Sequence, residues 1–258
     1  MKYQWTRYIA ILAFTGWAGA ASALPMNGLV SYWDAEGNAL DSGGVNSNDG
    51  TLNGNATYGV GQNGNGQAFL FDGAGDYVNT GSDASLTMTN AFTVSAWIMA
   101  TGRGSASSAG GIVGNKEGEY EFARFADGSI RWAIADTGPT WFWRDTGVIA
   151  ALNEWIHLSF VYDGAGGTLQ TFAGGVLADT QAVSGSIGDV DSTLNEFWIG
   201  GRPCCSQFFA GSIDEVAIWN RALTAAEVNS VANQVPTPAT LALFGIGLAG
   251  IFRSRRKA

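Results

Sequence analysis

In the stretch WIHLSFVYDG, the apolar side chains Ile156, Leu158, Phe160 and Tyr162 alternate with Trp155, His157, Ser159 and Val161. A period of two is the signature of a β-strand with one face on a core. Five further runs, FTVSAWIMA, SIRWAIAD, LQTFAGGVLAD, EFWIGG and IDEVAIWN, are also rich in β-branched and aromatic residues and are punctuated by Gly, Asn and Asp. With 37 Gly against 5 Pro, the turns between them are made mainly by glycine. Many such strands without intervening helices predict an all-β chain, a two-sheet antiparallel jelly-roll sandwich.

One short helix is expected at the end of this unit. In LTAAEV, Thr224 stands as N-cap, Glu227 closes a capping box three residues on, and Leu223 meets Val228 as a hydrophobic staple. The following VPTP cannot continue a helix and marks a boundary. The domain therefore spans 24–234, about 210 residues and one domain's worth of chain.

Both flanking segments read as targeting signals. Residues 1–23 combine Lys2 and Arg7, an apolar run and the small-x-small site Ala21-Ser22-Ala23, which is the pattern of a signal peptide. Residues 235–258 carry an apolar stretch followed by Arg253, Arg255, Arg256 and Lys257. That stretch is shorter than the ~17–25 residues of a stable span, and its basic end stays on the cytoplasmic side. Transient membrane anchoring is the expectation, followed by cleavage and release or transfer at the cell surface.

The two flanks hold six of the 13 basic residues and none of the 22 acidic ones, which leaves a strongly acidic domain between them. Nucleic acid is thereby excluded as a partner, because a phosphate backbone is bound by clustered Lys and Arg. Calcium is compatible with such a surface.

The segments GLVSYWDAEGNALDSGG, NDGTLNGNATYG, FDGAGDYVNTG, FTVSAWI, GGIVGNK, WIHLSFVYDG, IGGRP and FFAGSIDEVAIWNRALTAAEV occur in the order found in bacterial laminin-G-like, concanavalin A-like lectin/glucanase domains. The chain resembles that family from about Asn27 to Val231. Its tail resembles the PEP-CTERM sorting signal, with Thr237 in place of the glutamate that gives the signal its name. The resemblance implies a jelly roll, often calcium-bearing, and export by a system whose sortase-like membrane processing enzyme acts on the tail. Such proteins are commonly found beside exopolysaccharide.

The resemblance also implies positions for a structural calcium ion: Asp34, Asp72, Gly73 and Asp214. Asp beside Gly suits calcium, which takes carboxylate and backbone oxygens together. The alternative is that Asp72 and Asp76 bond turn amides. Trp33, Trp97, Trp155 and Trp219 match family core strands and are expected in the core.

Trp141 and Trp143 flank Phe142 and would point to one side of a strand, with Arg144 and Asp145 close by. Paired indoles beside hydrogen-bonding groups suit a sugar ring; the other reading puts one ring in the core and the other over it as a lid. Glu117, Glu119 and Glu121 alternate, and retaining glycosidases of this fold hold two carboxyls about 5–5.5 Å apart on one strand. The family's catalytic motif, however, has an Asp between two Glu in an apolar strand. Gly118 instead places Glu117 and Glu119 across a turn, so the three are expected on a solvated hairpin edge without catalysis.

His157 is the single histidine and is expected to be structural. Cys204 and Cys205 are adjacent, which leaves a vicinal disulfide, an intermolecular bond or two free thiols open in an oxidising compartment. The expected function is an exported, non-catalytic module binding a polysaccharide or other glycan. The alternatives are a structural or adhesive matrix protein with protein partners, and a glycoside hydrolase or lyase.

Overall fold

The computed structural model describes residues 24–43, 47–105, 111–135, 141–183, 185–191 and 193–234. The expected signal peptide (1–23) and sorting tail (235–258) lie outside the described residues. In chain order the strands are β1 (Leu29–Trp33), β2 (Thr51–Asn53), β3 (Thr57–Val60), β4 (Gln67–Asp72), β5 (Tyr77–Asn79) and β6 (Ala91–Ala100). There follow β7 (Gly111–Lys116), β8 (Tyr120–Arg124), β9 (Ser129–Ala135), β10 (Trp141–Ile149), β11 (Ile156–Asp163) and β12 (Thr168–Ala173). The last are β13 (Val176–Ala182), β14 (Phe197–Ile199), β15 (Gly201–Arg202), β16 (Gln207–Phe208) and β17 (Ala210–Trp219), before the helix α1 (Ala225–Ala232).

Eight strands form one sheet in the order β13-β12-β11-β6-β17-β4-β3, with β1 also paired to β17. Seven form the second, β10-β9-β8-β7-β14-β5-β2, and β15 and β16 make a small separate hairpin. The expected two-sheet antiparallel jelly roll with one short C-terminal helix is therefore observed.

Period-two alternation sets the faces. Val94, Ala96 and Ile98 of β6, Leu158, Phe160 and Tyr162 of β11, and Ile213 and Ile218 of β17 meet Tyr120, Phe122, Ile130, Trp132, Phe197 and Ile199 of the other sheet in one buried core. Aromatic pairs bridge the sheets, with Phe122 and Phe160 ring centroids 4.7 Å apart and Phe92 and Tyr120 4.5 Å apart. Each such pair contributes about 0.5–1.5 kcal/mol beyond its area burial.

A second apolar cluster lies on the outer face of the eight-stranded sheet. There Val228 and Val231 of α1 pack with Leu223 and Trp219, Val161 and Phe172. The capping box forms as expected: Thr224 accepts from the Glu227 N–H while the Glu227 carboxylate takes the Thr224 N–H. Gly175 in the β12–β13 turn has φ +76°, and a Cβ there would lie 2.9 Å from that of Ala232, so glycine lets the turn approach the helix.

Trp33 and Trp219 are fully buried, as expected. Trp97 and Trp155 correct the expectation, since both are only half-buried. Trp97 alternates with the core residues Ala96 and Ile98, so the pleat turns it outward. Its ring meets His157 edge-on at 5.2 Å. His157 Nε2 lies 2.8 Å from Ser95 Oγ, and burial pushes its imidazole down to about 3, so it is a neutral structural group.

Candidate functional site: the outer face of the seven-stranded sheet

The β7–β8 hairpin turns through Glu117, Gly118 and Glu119, with Lys116 paired to Tyr120 and Gly118 at φ +78°. The turn was legible, but its environment corrects the expectation of a solvated edge. β7 and β8 lie inside the seven-stranded sheet. The 185–191 segment covers the tip, where a Cβ on Gly118 would meet Asp189 Oδ1 at 2.5 Å and Val190 N–H donates to the Gly118 carbonyl. Glu117, Glu119 and Glu121 are 3%, 2% and 0% exposed.

Buried carboxyls require cationic partners or protonation, and both occur here. Arg202 of β15 grips Glu117, with Nε 2.7 Å from Oε2 and Nη2 2.5 Å from Oε1. Its Nη1 lies 3.3 Å from both Glu121 carboxylate oxygens and hydrogen-bonds Oε1. Asn115 Nδ2 donates to Glu117 Oε2 at 3.0 Å. Burial, only partly offset by Arg202, pushes the Glu121 carboxyl up to about 7. Burial would lower the Arg202 guanidinium, yet its bonds to Glu117 and the two carboxylate charges raise it overall.

Glu119 belongs to a separate pair. Its Oε1 lies 3.7 Å from Lys116 Nζ, which also donates to the Asn195 carbonyl. Burial lifts Glu119 to about 7 and lowers Lys116.

Strand register explains how Glu121 reaches the middle of this face. A single cross-strand row runs Asn79, Trp198, Asn115, Glu121, Ala133, Trp143 from β5 to β10. Over one end of it folds the β15–β16 hairpin, whose Phe208 stacks on Tyr77 at 6.5 Å beside Trp198. The hairpin turn, Pro203–Cys205, carries both cysteines. Their sulfurs are 2.8 Å apart and Cys204 Sγ lies 3.8 Å from Glu117 Oε2. Both residues are exposed free cysteines. Although the residue is exposed, partial desolvation of its thiol beside Glu117, the bond with Cys205 and the charge of Glu117 push Cys204 up to about 12.

The expected tryptophan group divides. Trp141 and Trp143, both half-buried, oppose Ala135 and Ala133 and share the outer face of the edge strand β10. Trp143 packs edge-on against Phe125 at 5.0 Å and 81°. Arg202 Cζ stands 5.7 Å from the Trp141 ring. Asp145 shares the face and pairs with Arg131 Nε at 3.3 Å. Arg144, one residue out of phase, turns the other way and lines a cavity of about 310 Å³ with Ile134, Tyr162, Val183 and Ile187.

The four expected calcium positions do not assemble. Asp72 pairs across the sheet with Ala210, while Asp214 lies four residues further along β17, about 13 Å away along the strand. Asp72 accepts from Asn55 Nδ2 and Ala74 N–H, closing its own turn beside Gly73. Asp214 accepts from Gln62 N–H and Glu215 N–H, and burial together with the charges of Glu36 and Asp34 raises it to about 7. Asp34 thus lies near Asp214, and Asp72 and Gly73 elsewhere. The four do not fit one ion, and among the described residues no group of three His, Cys, Asp or Glu is placed to hold a metal.

Arg202, Trp198 and Arg131 are among the residues of this face that the sequence alone did not point to. For Arg202 the signal was the IGGRPCC segment, where an arginine sits beside the paired cysteines; Trp198 stands one residue ahead of that segment, in EFWIGG.

Residues 72–229 match the model of the concanavalin A-like lectin/glucanases superfamily, and residues 234–257 match the PEP-CTERM protein-sorting motif. The sorting motif implies export to the cell surface. The comparison with curated proteins finds no match. Among solved structures the chain is similar to domain 4 of AbnA, a GH43 extracellular arabinanase from Geobacillus stearothermophilus, in complex with arabinotriose. That likeness has 21% identity and a TM-score of 0.61, over 80% of this chain and 98% of that one. It is also similar to the binding domain of Paraclostridial Mosquitocidal Protein 1 (16% identity, TM-score 0.63, 80% of this chain and 52% of that one). A third likeness is to the binding domain of Botulinum Neurotoxin DC in complex with SialylT (12% identity, TM-score 0.59, 80% and 51%). The chain thus spans about half the length of the toxin domains, and at these identities the likeness shows the fold. Among the described residues no helix is long and apolar enough to cross a membrane.

Proposed function

The chain belongs to the concanavalin A-like lectin/glucanases superfamily, and from that premise we propose that it is an exported, non-catalytic carbohydrate-binding protein of the cell surface or exopolysaccharide matrix. The observation that carries the reading is the pair Trp141 and Trp143, half-buried on one face of an edge strand, with Asp145, Arg131 and Arg202 around them. A half-exposed indole offers a flat apolar surface to a sugar ring. The neighbouring charged groups offer hydrogen bonds to its hydroxyls. The arabinotriose complex of a domain with the same fold supports this chemistry.

The carboxylates of this face are already committed to other partners. A retaining glycosidase needs one carboxylate free to attack and a second able to protonate the leaving group. Here Glu117 gives both oxygens to Arg202 and Asn115, and Glu121 is fully buried beneath them. These groups brace the β15–β16 hairpin. In this reading a sortase-like membrane enzyme cuts the tail near 235–238 after transient anchoring.

Affinity electrophoresis through gels containing arabinan, β-glucan, galactomannan or alginate tests the proposal. At least one polymer should retard the processed protein, and Trp141→Ala should remove that retardation without lowering the melting temperature. Retardation unchanged in Trp141→Ala, or by no matrix polysaccharide at all, overturns it.

A further inference from the structure

The opposite side of the sandwich carries a second recess. Trp97 of β6 borders it, half-buried on the outer face of the eight-stranded sheet. Gln62, Asn63 and Asn65 enter from the β3–β4 connection, and Ala232, Asn233 and Gln234 from the end of α1. Together they bound about 240 Å³. That is below the ~300–1,000 Å³ of a drug-sized site and leaves room for one sugar residue rather than an oligomer.

Its lining has an unusual composition. Five of the seven residues carry carboxamides, the others are an indole and an alanine, and among the described residues none that line it is charged. A carboxamide presents two donors and an acceptor in a fixed plane, and a hydroxyl is donor and acceptor at once. Several amides around an indole therefore complement a ring with several hydroxyls and one apolar face.

The site is also held in place. Gln62 is 4% exposed and its N–H donates to Asp214 Oδ2 at 2.9 Å, which ties the β3–β4 connection to β17. The Asp214, Asp34 and Glu36 charges lie near one another beneath this connection. An anionic sugar would be repelled there.

We propose that this recess is a second carbohydrate site, for a single neutral, hydroxyl-rich residue such as the end of a neutral polysaccharide chain. Taken with the Trp141 face, and resting on that reading, it makes the domain bivalent, with sugar-binding surfaces on the outer faces of both sheets.

Saturation-transfer NMR of the processed protein with D-glucose, D-galactose, D-mannose and L-arabinose tests the proposal. In the Trp141→Ala background at least one sugar should give a signal. Adding Asn63→Gly, which keeps the left-handed backbone at φ +54°, and Asn233→Ala should reduce it at least tenfold with an unchanged melting curve. A signal indifferent to these two substitutions, or none with any of the four sugars, overturns the second site. Loss of gel retardation in Trp141→Ala would leave the first reading standing in either case. A sugar signal that persists in Trp141→Ala and vanishes with the amides supports the recess even if the gels retard nothing.

Discussion

Arg202 meets Glu117 fork to fork, Nε on Oε2 at 2.7 Å and Nη2 on Oε1 at 2.5 Å, with Glu117 3% exposed. Two-point pairing of this kind is stronger and more directional than a single charged hydrogen bond. Removing the cation leaves Glu117 buried and uncompensated, with Glu121 beside it. Arg202→Met should therefore cost about 3–5 kcal/mol in urea unfolding. Adding Glu117→Gln and Glu121→Gln should restore most of it. A loss under about 1 kcal/mol would show that the pair is solvated in solution.

Four carboxyls set the pH dependence of stability. Burial foremost raises Glu119, Glu121, Asp214 and Glu215 each to about 7, against unfolded values of about 4. Folded groups raised in this way contribute stability that is fully present below about pH 4 and lost as pH climbs through about 7. Glu227 acts in the opposite sense. Its bonds to Arg221 hold it at about 2, so its contribution disappears as pH falls from about 4.5 toward 2. The urea midpoint should peak near pH 4–5 and fall steadily to pH 8. A flat profile between pH 5 and 8 would contradict the burial of these groups.

Asp72 is engaged with Asn55 and Ala74 within its own turn. Asp72→Ala should lower the melting temperature slightly and by the same amount in calcium and in chelator. A calcium-dependent rise in melting temperature that Asp72→Ala and Asp214→Ala each abolish would re-establish the four-residue site.

Cys204 and Cys205 face one another at 2.8 Å on an exposed turn. In the exported protein they should join as a vicinal disulfide, formed by exchange with an oxidising disulfide. Intact mass should lie about 2 Da below the dithiol form and return on reduction. Two alkylatable thiols without reductant, or a disulfide-linked dimer, would exclude it. The same spectrum reads the C-terminus, which should end before Ala239.

Local features of the fold were legible because their causes are local. The alternation in β11 put Leu158, Phe160 and Tyr162 in the core, and the Thr224–Glu227 box formed as written. Gly118 announced its turn. What the sequence hid was the burial of the three glutamates, since what covers them comes from distant elements: Arg202 from β15 over Glu117 and Glu121, and the 185–191 segment over the hairpin tip. The same holds for Trp97, whose outward direction follows from pleat phase rather than residue type. Arg144, close to the tryptophans in sequence, turns to the cavity for that reason too, one residue out of step with its neighbours.

The last described residue, Gln234, lines the amide recess, while Trp141 lies on the outer face of the other sheet. The two proposed sugar surfaces therefore sit on the outer faces of opposite sheets of one sandwich. A single domain holding one polysaccharide chain on each would act as a two-handed cross-linker of the matrix, its reach set by two packed sheets about 10 Å apart.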